Sequence, residues 1–419
     1  MLEKGVIRKS QSNDYCRVVL VRKRNNMFRM CVNFKPLNKL VERDNFPMPI
    51  IEDLVIKLHG KRYFSSLDLK NGFYHVDIAE NSKKYTSFVV DGGQYEFNKL
   101  PFGFANSPAA FVRFINKVLE EFIKSSQITV FIDDILISTE TIEEHLDILS
   151  AVLRTLSDNH IKLQLQKCSF MKTAIDYLGY NIKYNSIRPS DRHIDSVQSI
   201  PIPVNVYALH RFVGLVSYFR KFIRNFNKLA QPLYELLKKD VPFRFEEKQV
   251  AAFNDLKACL IQKPVLAIYS PLLETKVHTD ASSAGFGGIL FQLQEDDKFH
   301  PVLFYSRKTT AAESKLHSFE LETLAVVYTL QRFRMYLFGL KFTIVTDCEA
   351  MKKTLEKSEV NAKISRWSLY LEQFAYTIVH RPGDRMRHVD ALSRVNILLL
   401  ESEENSNNTF VNSMYAAQL

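Results

Sequence analysis

Apolar residues follow two different periods along this chain. Alternation in CRVVLV (16–21), FRMCVNF (28–34) and RYFSSLDL (62–69) predicts strands. SPAAFVRFINKVLEEFI (107–123) repeats instead at helical spacing. There Ser107 can cap, Pro108 takes the first turn, and Phe111, Phe114, Ile115, Val118, Leu119 and Phe122 form one apolar face. A further helix is predicted from about Glu143 to Leu156, with Leu146, Leu149, Leu153 and Leu156 inward. After Gly179 the pattern changes. Residues 186–265 are basic and helical in spacing, with proline breaks at Pro189, Pro201, Pro203, Pro232, Pro242 and Pro264. A new αβ pattern begins at Lys276 and ends near Arg394. The last 25 residues hold three Glu and no Lys or Arg, and the string ESEENSNN predicts a disordered tail. No internal repeat is visible.

TVFIDDILIS (129–138) does not fit its surroundings. Strand-forming residues flank Asp133 and Asp134, with no turn glycine and no basic neighbour. Two like charges in a half-buried place are costly unless a cation neutralises them. The flanking strands put the pair at the tip of a tight hairpin. In YFSSLDLKNGFYHVDI (63–78), alternation points Phe64, Ser66 and Asp68 one way and puts Asp68 near a strand end. Three carboxylates from two strands would hold two divalent cations roughly 3.5–4 Å apart, as in-line phosphoryl transfer requires. Mg²⁺, a hard cation that leaves positions open for phosphates, suits such a site. Taken alone, two Asp in a turn read as an acidic surface loop; the surrounding motifs change that.

A second acidic set follows. KVHTDASSAGFGGILFQ (276–292) predicts strand, turn, strand, with Asp280 ending the first strand and glycines at 285, 287 and 288 allowing close packing. FELETLAVVYTLQRF (319–333) predicts a helix that buries Leu321, Leu324, Ala325, Tyr328 and Phe333, with Glu322 beside the stripe. FTIVTD (342–347) predicts a strand ending in Asp347, and HVDALSR (388–394) a short helix carrying Asp390. Singly, each acid reads as a surface residue; four on separate elements can form another two-metal cluster.

Composition narrows the partner. The 419 residues, 46% hydrophobic, allow about two to four domains. A net charge of +10 favours a polyanion. The excess is concentrated: residues 1–45 hold 11 Lys/Arg against 4 Asp/Glu, and residues 183–248 hold 12 against 6. Basic regions flanking an acidic centre fit a nucleic-acid enzyme. The five cysteines (16, 31, 168, 259, 348) form no C-x-x-C pair, which argues against a zinc site or disulfide framework and fits a reducing compartment. The chain opens with no signal peptide, and the aliphatic run Ile397–Leu400 is too short to span a bilayer. A soluble, intracellular protein with no membrane partner is expected.

FIDDILI (131–137) resembles the catalytic box of reverse transcriptases, most closely those of gypsy-type LTR retrotransposons. Other boxes follow in the family's order. RMCVNFKPLN (29–38) resembles the fingers strand, FSSLDLKNGFYHV (64–76) the first palm box and LPFGFANSPAAF (100–111) the template and nucleotide box. QKCSF (166–170) is similar to the next palm segment and YLGYNI (177–182) to the primer-grip hairpin. Residues 276–394, with VDALSR the most telling match, resemble the ribonuclease H domain of the same elements.

The resemblance implies an α+β and α/β multidomain chain: a right-hand polymerase of fingers, palm and thumb, then a ribonuclease H-like domain. Its expected parts are fingers and palm at 1–185, thumb and linker at 186–272, the ribonuclease H-like domain at 273–394 and the tail at 395–419. It implies Asp68, Asp133 and Asp134 as ligands of one Mg²⁺ pair, with Mn²⁺ as an alternative. Asp280, Glu322, Asp347 and Asp390 would hold a second pair. Glu320 competes with Glu322, although spacing to LAVVY favours Glu322. His380 matches a loop histidine of retroviral relatives, and His388 is nearer Asp390 in sequence.

For the incoming deoxynucleoside triphosphate, the resemblance implies contacts from Arg22 and Arg29, a sugar-closing ring at Phe73, and a floor of Pro101, Phe102 and Gly103. Lys167 would lie near the departing pyrophosphate. Arg211, Arg220, Lys221, Arg224 and Lys228, with Lys238 and Lys239, would track the phosphates of an RNA or DNA template-primer and of an RNA–DNA hybrid. The parent element implies a cytoplasmic, particle-associated setting. Departures exist: Asn33 replaces an acid of the fingers box, Asn26-Met27-Phe28 replaces a glycine-containing turn and tryptophan, and family members carry further fingers sequence before MLEKGVIRKS. Two rival expectations are a catalytically silent nucleic-acid-binding remnant and a product with nuclease activity alone. No D-[ST]-G protease motif or integrase-like stretch is present.

Overall fold

A computed structural model describes residues 1–22, 28–347 and 362–381, in two compact units that divide between Leu178 and Gly179. Asn26, Met27, His388, Asp390 and the 395–419 tail lie outside the described residues. No helix among those described is long and apolar enough to cross a membrane.

The first unit is built on a four-stranded antiparallel sheet. Its order is Ile128–Phe131, Asp134–Thr139, Tyr63–Asp68, Ser169–Lys172. The period-two pattern fixes its faces. Leu67, Ile128, Val130, Ile135 and Ile137 point to one side, where they join Phe111, Ile115 and Leu119 and, from the Ile142–Asp158 helix, Ile148, Val152 and Leu156. Each such side chain, fully buried, stabilises the fold by about 1.5–3 kcal/mol. Asp68 and Asp134 fall on the opposite face because they alternate with Leu67 and Ile135. A smaller sheet pairs Ile7–Lys9 with Gly93–Phe97 and that strand with Phe88–Val90, and Val18–Arg22 pairs with Phe28–Val32 as a two-stranded ribbon.

Two helix expectations need correction. The 107–123 segment is a helix over Ser107–Val118 and a second over Glu120–Lys124, separated where Leu119 leaves helical geometry (φ −108°, ψ 20°). Ser107 does not cap. It is the first helical residue, and its hydroxyl donates to the Pro101 carbonyl at 2.7 Å. The next helix spans Ile142–Asp158 behind a Thr141 cap. Its inward stripe is His145, Ile148, Val152 and Leu156, whereas Leu146 is 52% exposed. A histidine with hydrogen-bond partners in the core takes the place a hydrophobicity pattern gives to leucine.

The second unit begins with the antiparallel strands Tyr180–Lys183, Ser186–Pro189 and Leu266–Ala267. Helices Asp191–Gln198, Val206–Tyr218, Phe226–Glu235 and Glu247–Ile261 lie between the last two. Pro232 does not break the chain's helical course; it sits inside Phe226–Glu235. A five-stranded sheet follows, in the order Phe299–Lys308, Gly285–Leu293, Thr275–Ser282, Lys341–Thr346, Ala375–His380. The first three strands are antiparallel and the last two join in parallel. The Ser318–Leu337 helix packs on the central strands and is buried along most of its length. Gly288 allows this approach: a Cβ there would lie 2.6 Å from Thr329 Cγ2 and Oγ1.

Thr329 is β-branched and cannot swing aside cheaply. Gly288→Ala is therefore expected to destabilise the second unit by about 1–3 kcal/mol in denaturant unfolding, with Thr329→Ala in the same chain recovering most of the loss.

Candidate active sites

At the first acidic site, Phe131 pairs with Asp134, so Ile132 and Asp133 form a two-residue turn. Ile132 occupies φ +55° without being glycine. A β-branched residue there costs about 1–3 kcal/mol, a strain the flanking strands must hold. The turn leaves Asp133 exposed at the tip and starts the next strand with half-buried Asp134, directly opposite Asp68. The Leu69 N–H donates to the Asp133 carbonyl at 3.4 Å, tying the tip to the neighbouring strand. Burial, then the charges of Asp133 and Asp68, pushes the Asp134 carboxyl up to about 6, with Lys167 opposing.

Lys167 is the cation that the local sequence lacks. Its Nζ lies 3.3 Å from Asp68 Oδ1 and 3.2 Å from Oδ2, from the Leu165–Lys167 turn 99 residues along the chain. The next residue, Cys168, accepts the Asp68 N–H on Sγ at 3.4 Å. Neither contact is legible from local pattern. One ammonium against three carboxylates leaves net negative charge, and hard oxygen donors of this kind suit a divalent cation, although Asp68, Asp133 and Asp134 do not all bring their oxygens within 4.8 Å of one another.

Beside the acids, Asn71 adopts a left-handed conformation and opens the short Gly72–His75 turn. The Phe73 ring sits 4.8 Å from Phe102 and 5.5 Å from Phe111. Pro101 is buried, Phe102 is half-exposed, and Gly103 is exposed with φ +89°. Asn38, which sequence reading missed, braces this loop: its Nδ2 donates to the Gly103 carbonyl at 2.9 Å and its Oδ1 accepts the Ala105 N–H at 2.8 Å. Arg22 is exposed where its strand ends, and the Arg29 backbone pairs with Val21 on the same ribbon.

At the second site, Asp280, Glu322 and Asp347 each offer a carboxylate oxygen, and these lie within 4.8 Å of one another. They are the one such trio among the described residues. Asp280 is not quite at a strand end, since Thr275–Ser282 continues two residues further. Glu322 is not at a surface edge either; it is 6% exposed, and Asp280 2%. Glu322 Oε1 accepts the Ala281 N–H at 3.1 Å, which fixes the helix carboxylate beside the strand one. Glu320 serves elsewhere, in a capping box with His317. Asp347 follows Lys341–Thr346 directly. His380 ends the adjacent strand opposite Thr346, with Nε2 3.1 Å from the Asp347 carbonyl oxygen.

The expected phosphate-tracking cations divide. Arg211 is exposed, as are Lys238 and Lys239. Arg220, Lys221, Arg224 and Lys228 are only partly so. Arg220 Nη2 donates to the Ser306 carbonyl at 3.3 Å and its guanidinium lies over Phe226. The Lys221 ammonium sits 4.1 Å from the Tyr180 ring centre. Burial pulls the Arg224 guanidinium down to about 10. The cause is local: Phe222, Ile223 and Phe226 enter the core and carry the intervening cations inward.

A family model described as reverse transcriptase (RNA-dependent DNA polymerase) matches residues 21–182, and one for the RNase H-like domain found in reverse transcriptase matches 270–374. The Tf2-3 and Tf2-7 transposon polyproteins of Schizosaccharomyces pombe are each 34% identical to this chain over 421 residues. That similarity covers 99% of this chain but 31% of each polyprotein. Among solved structures, the foamy viral protease-reverse transcriptase dRH in complex with double-stranded DNA aligns with TM-score 0.82 at 24% identity, covering 91% of this chain and 67% of that one. The foamy viral protease-reverse transcriptase in complex with RNA/DNA hybrid gives 0.78 at 23%, over 96% and 54%. These two likenesses establish a shared fold.

The raised Asp134 carboxyl has a thermodynamic sign. The folded chain binds this proton more tightly than the unfolded chain, whose carboxyl stays near 3.8, so stability falls as pH rises from 3.8 through about 6. Asp134→Asn is expected to stabilise the metal-free protein by about 1–2 kcal/mol at pH 7, a screened figure, and by almost nothing below pH 3.8. Urea unfolding at both pH values in chelator checks it.

Proposed function

We propose that this chain, which belongs to the reverse transcriptase family in its gypsy-type LTR retrotransposon branch, copies RNA or DNA templates into DNA and degrades the RNA of the resulting hybrid. The observation that carries the reading is the register that sets Asp68 against Asp134 with Asp133 at the turn. The trio of Asp280, Glu322 and Asp347 supports the second activity.

Asp68, Asp133 and Asp134 would hold Mg²⁺ at the polymerase site. Asp280, Glu322 and Asp347, joined by Asp390, would do so at the nuclease site; Mn²⁺ is the alternative at both. Bound there, the ions supply positive charge where negative charge develops on phosphate oxygens, two per site. The chain's own residues do the rest. Phe73, wedged by Phe102 and Phe111, closes the sugar edge and excludes a 2′-hydroxyl by volume. Arg22 and Arg29 meet the triphosphate, a task suited to guanidinium forks. Pro101, Phe102 and Gly103 form the floor under the new base pair. Lys167, once it leaves Asp68, can give a proton to the departing pyrophosphate. His380 sits where it can exchange protons beside Asp347.

The duplex would lie along the Val206–Tyr218 helix. Among its exposed residues, Tyr207, His210, Arg211, Gly214 and Tyr218 recur at helical spacing. Glycine inside a helix costs about 0.5–1 kcal/mol relative to alanine, and a Cβ at Gly214 would touch nothing within 4 Å. The chain's own packing therefore gives no reason for glycine here. A smooth surface between two tyrosines and an arginine suits close approach of a sugar–phosphate edge. Hybrids are favoured where one strand offers 2′-hydroxyls.

The decisive assay is primer extension on an RNA template beside cleavage of a labelled hybrid. The parent chain should do both, and chelation should stop both. Asp133→Asn should lower extension by about 10²-fold or more and spare cleavage, with Asp347→Asn doing the reverse. A parent that binds hybrid and performs neither reaction would establish the silent remnant instead.

Gly214→Leu should leave thermal stability unchanged or slightly higher, yet weaken duplex binding about 10-fold or more at fixed salt, read by fluorescence anisotropy.

A further inference from the structure

The first unit contains a buried polar network that the chemistry above does not use. His145, Ser65 and Thr139 are each 0% exposed. A polar ring so placed is costly unless both nitrogens are hydrogen-bonded, and here both are. His145 Nδ1 lies 2.9 Å from Thr139 Oγ1, and Nε2 lies 2.7 Å from Ser65 Oγ. The partners fix the tautomer. The Thr139 hydroxyl donates to the Thr141 carbonyl at 3.0 Å, so it accepts from the ring and Nδ1 carries the hydrogen. Nε2 is then the acceptor for the Ser65 hydroxyl, whose oxygen accepts the Met171 N–H at 3.0 Å.

This chain of bonds joins three strands to one helix. Ser65 is three residues before Asp68 on Tyr63–Asp68, and Thr139 ends the strand that Asp134 begins. Met171 lies on Ser169–Lys172, where pairing with the Ser65 strand shifts register between Phe64 and Ser66 and Met171 takes φ +49°. Ser65 thus accepts the Met171 N–H at an irregularity in the ladder. Two residues before that strand stands Lys167, on Asp68. The Asp68–Asp134 register and the reach of Lys167 therefore share one buried hydrogen-bond chain with His145 at its centre.

We propose that His145 is a positioning residue for the polymerase site: through Ser65 and Thr139 it sets the spacing of Asp68, Asp134 and Lys167 without touching substrate. The proposal rests on the polymerase reading. Burial lowers the imidazole's pKa, with Glu144 opposing, which keeps the ring in the neutral form the network needs.

The test uses the full chain with His145→Gln, Ser65→Ala and the pair together. Single-nucleotide extension is followed at saturating deoxynucleotide, with burst amplitude counting competent sites. Each single variant should slow the rate constant per competent site about 10–100-fold, leave nucleotide half-saturation within about 2-fold, and leave hybrid cleavage by the second unit unchanged. The pair should be no slower than the worse single variant. Nitrogen-15 NMR of the parent should show His145 protonated at Nδ1 alone at pH 7. Variants that extend at the parental rate per competent site, or an imidazole protonated at Nε2, would overturn the proposal. Should Ser65→Ala alone fold, its rate decides. A parent that extends no primer would instead remove the polymerase reading, and the role of His145 with it.

Discussion

Antiparallel pairing of the strands that carry Asp68 and Asp134 brings like charges together, and the first unit is arranged to withstand that. Beneath the acids, Leu67, Ile135 and Ile137 belong to a continuous apolar core with two helices. That burial opposes both the charge repulsion and the strained turn at Ile132. Glycine at position 132 would relieve the backbone but loosen the tip, letting Asp133 move away from the other two acids. The Asp133 carbonyl bond to Leu69 works in the same direction. Rigidity at the tip is thus obtained against local preference, by contacts made at a distance.

The two acidic sites handle charge differently. Asp133 is exposed and Asp134 half-buried, with Lys167 reaching across to Asp68. The second site encloses its acids: Asp280 and Glu322 are nearly fully buried, and Ala281 gives Glu322 a backbone partner. An open tip suits the proposed polymerase site, which would have to admit a primer end and a triphosphate together. A recessed trio suits the proposed nuclease site, which would receive a single strand against its surface. The difference follows from architecture. A hairpin turn projects its residues, whereas a central strand covered by the Ser318–Leu337 helix encloses them.

Much of this was legible because period and chemistry agreed. Alternation assigned Asp68 to the face away from Leu67, and strand-formers on either side of Asp133 required a hairpin. Family boxes in fixed order then supplied partners from distant segments. What the sequence did not disclose were contacts between residues whose local signals point elsewhere. Lys167 was expected near the departing pyrophosphate, and its contact with Asp68 from 99 residues away carried no local signal. His145 lost the inward position to Leu146 in a hydrophobicity reading, because pattern cannot see that two hydroxyls await the imidazole. Glu322 was assigned to a helix edge, although its helix is buried without interruption from Leu321 to Val327.

Counting charge also proved different from locating it. The 183–248 segment is as basic as its composition states, but Arg220 and Lys221 lie among Tyr180, Phe222 and Phe226, and Arg224 is largely buried. Guanidinium and ammonium stems cover aromatic surface well, and a cation over a ring recovers part of the hydration it loses. Arg220, with Asn227, also joins the 220–227 turn to the strand containing Ser306. A basic segment can therefore serve first as internal adhesive. Cations left in water, such as Arg211, Lys238 and Lys239, are the ones whose counterions a bound polyanion can release. The salt dependence of binding should follow those residues and not the segment's total charge.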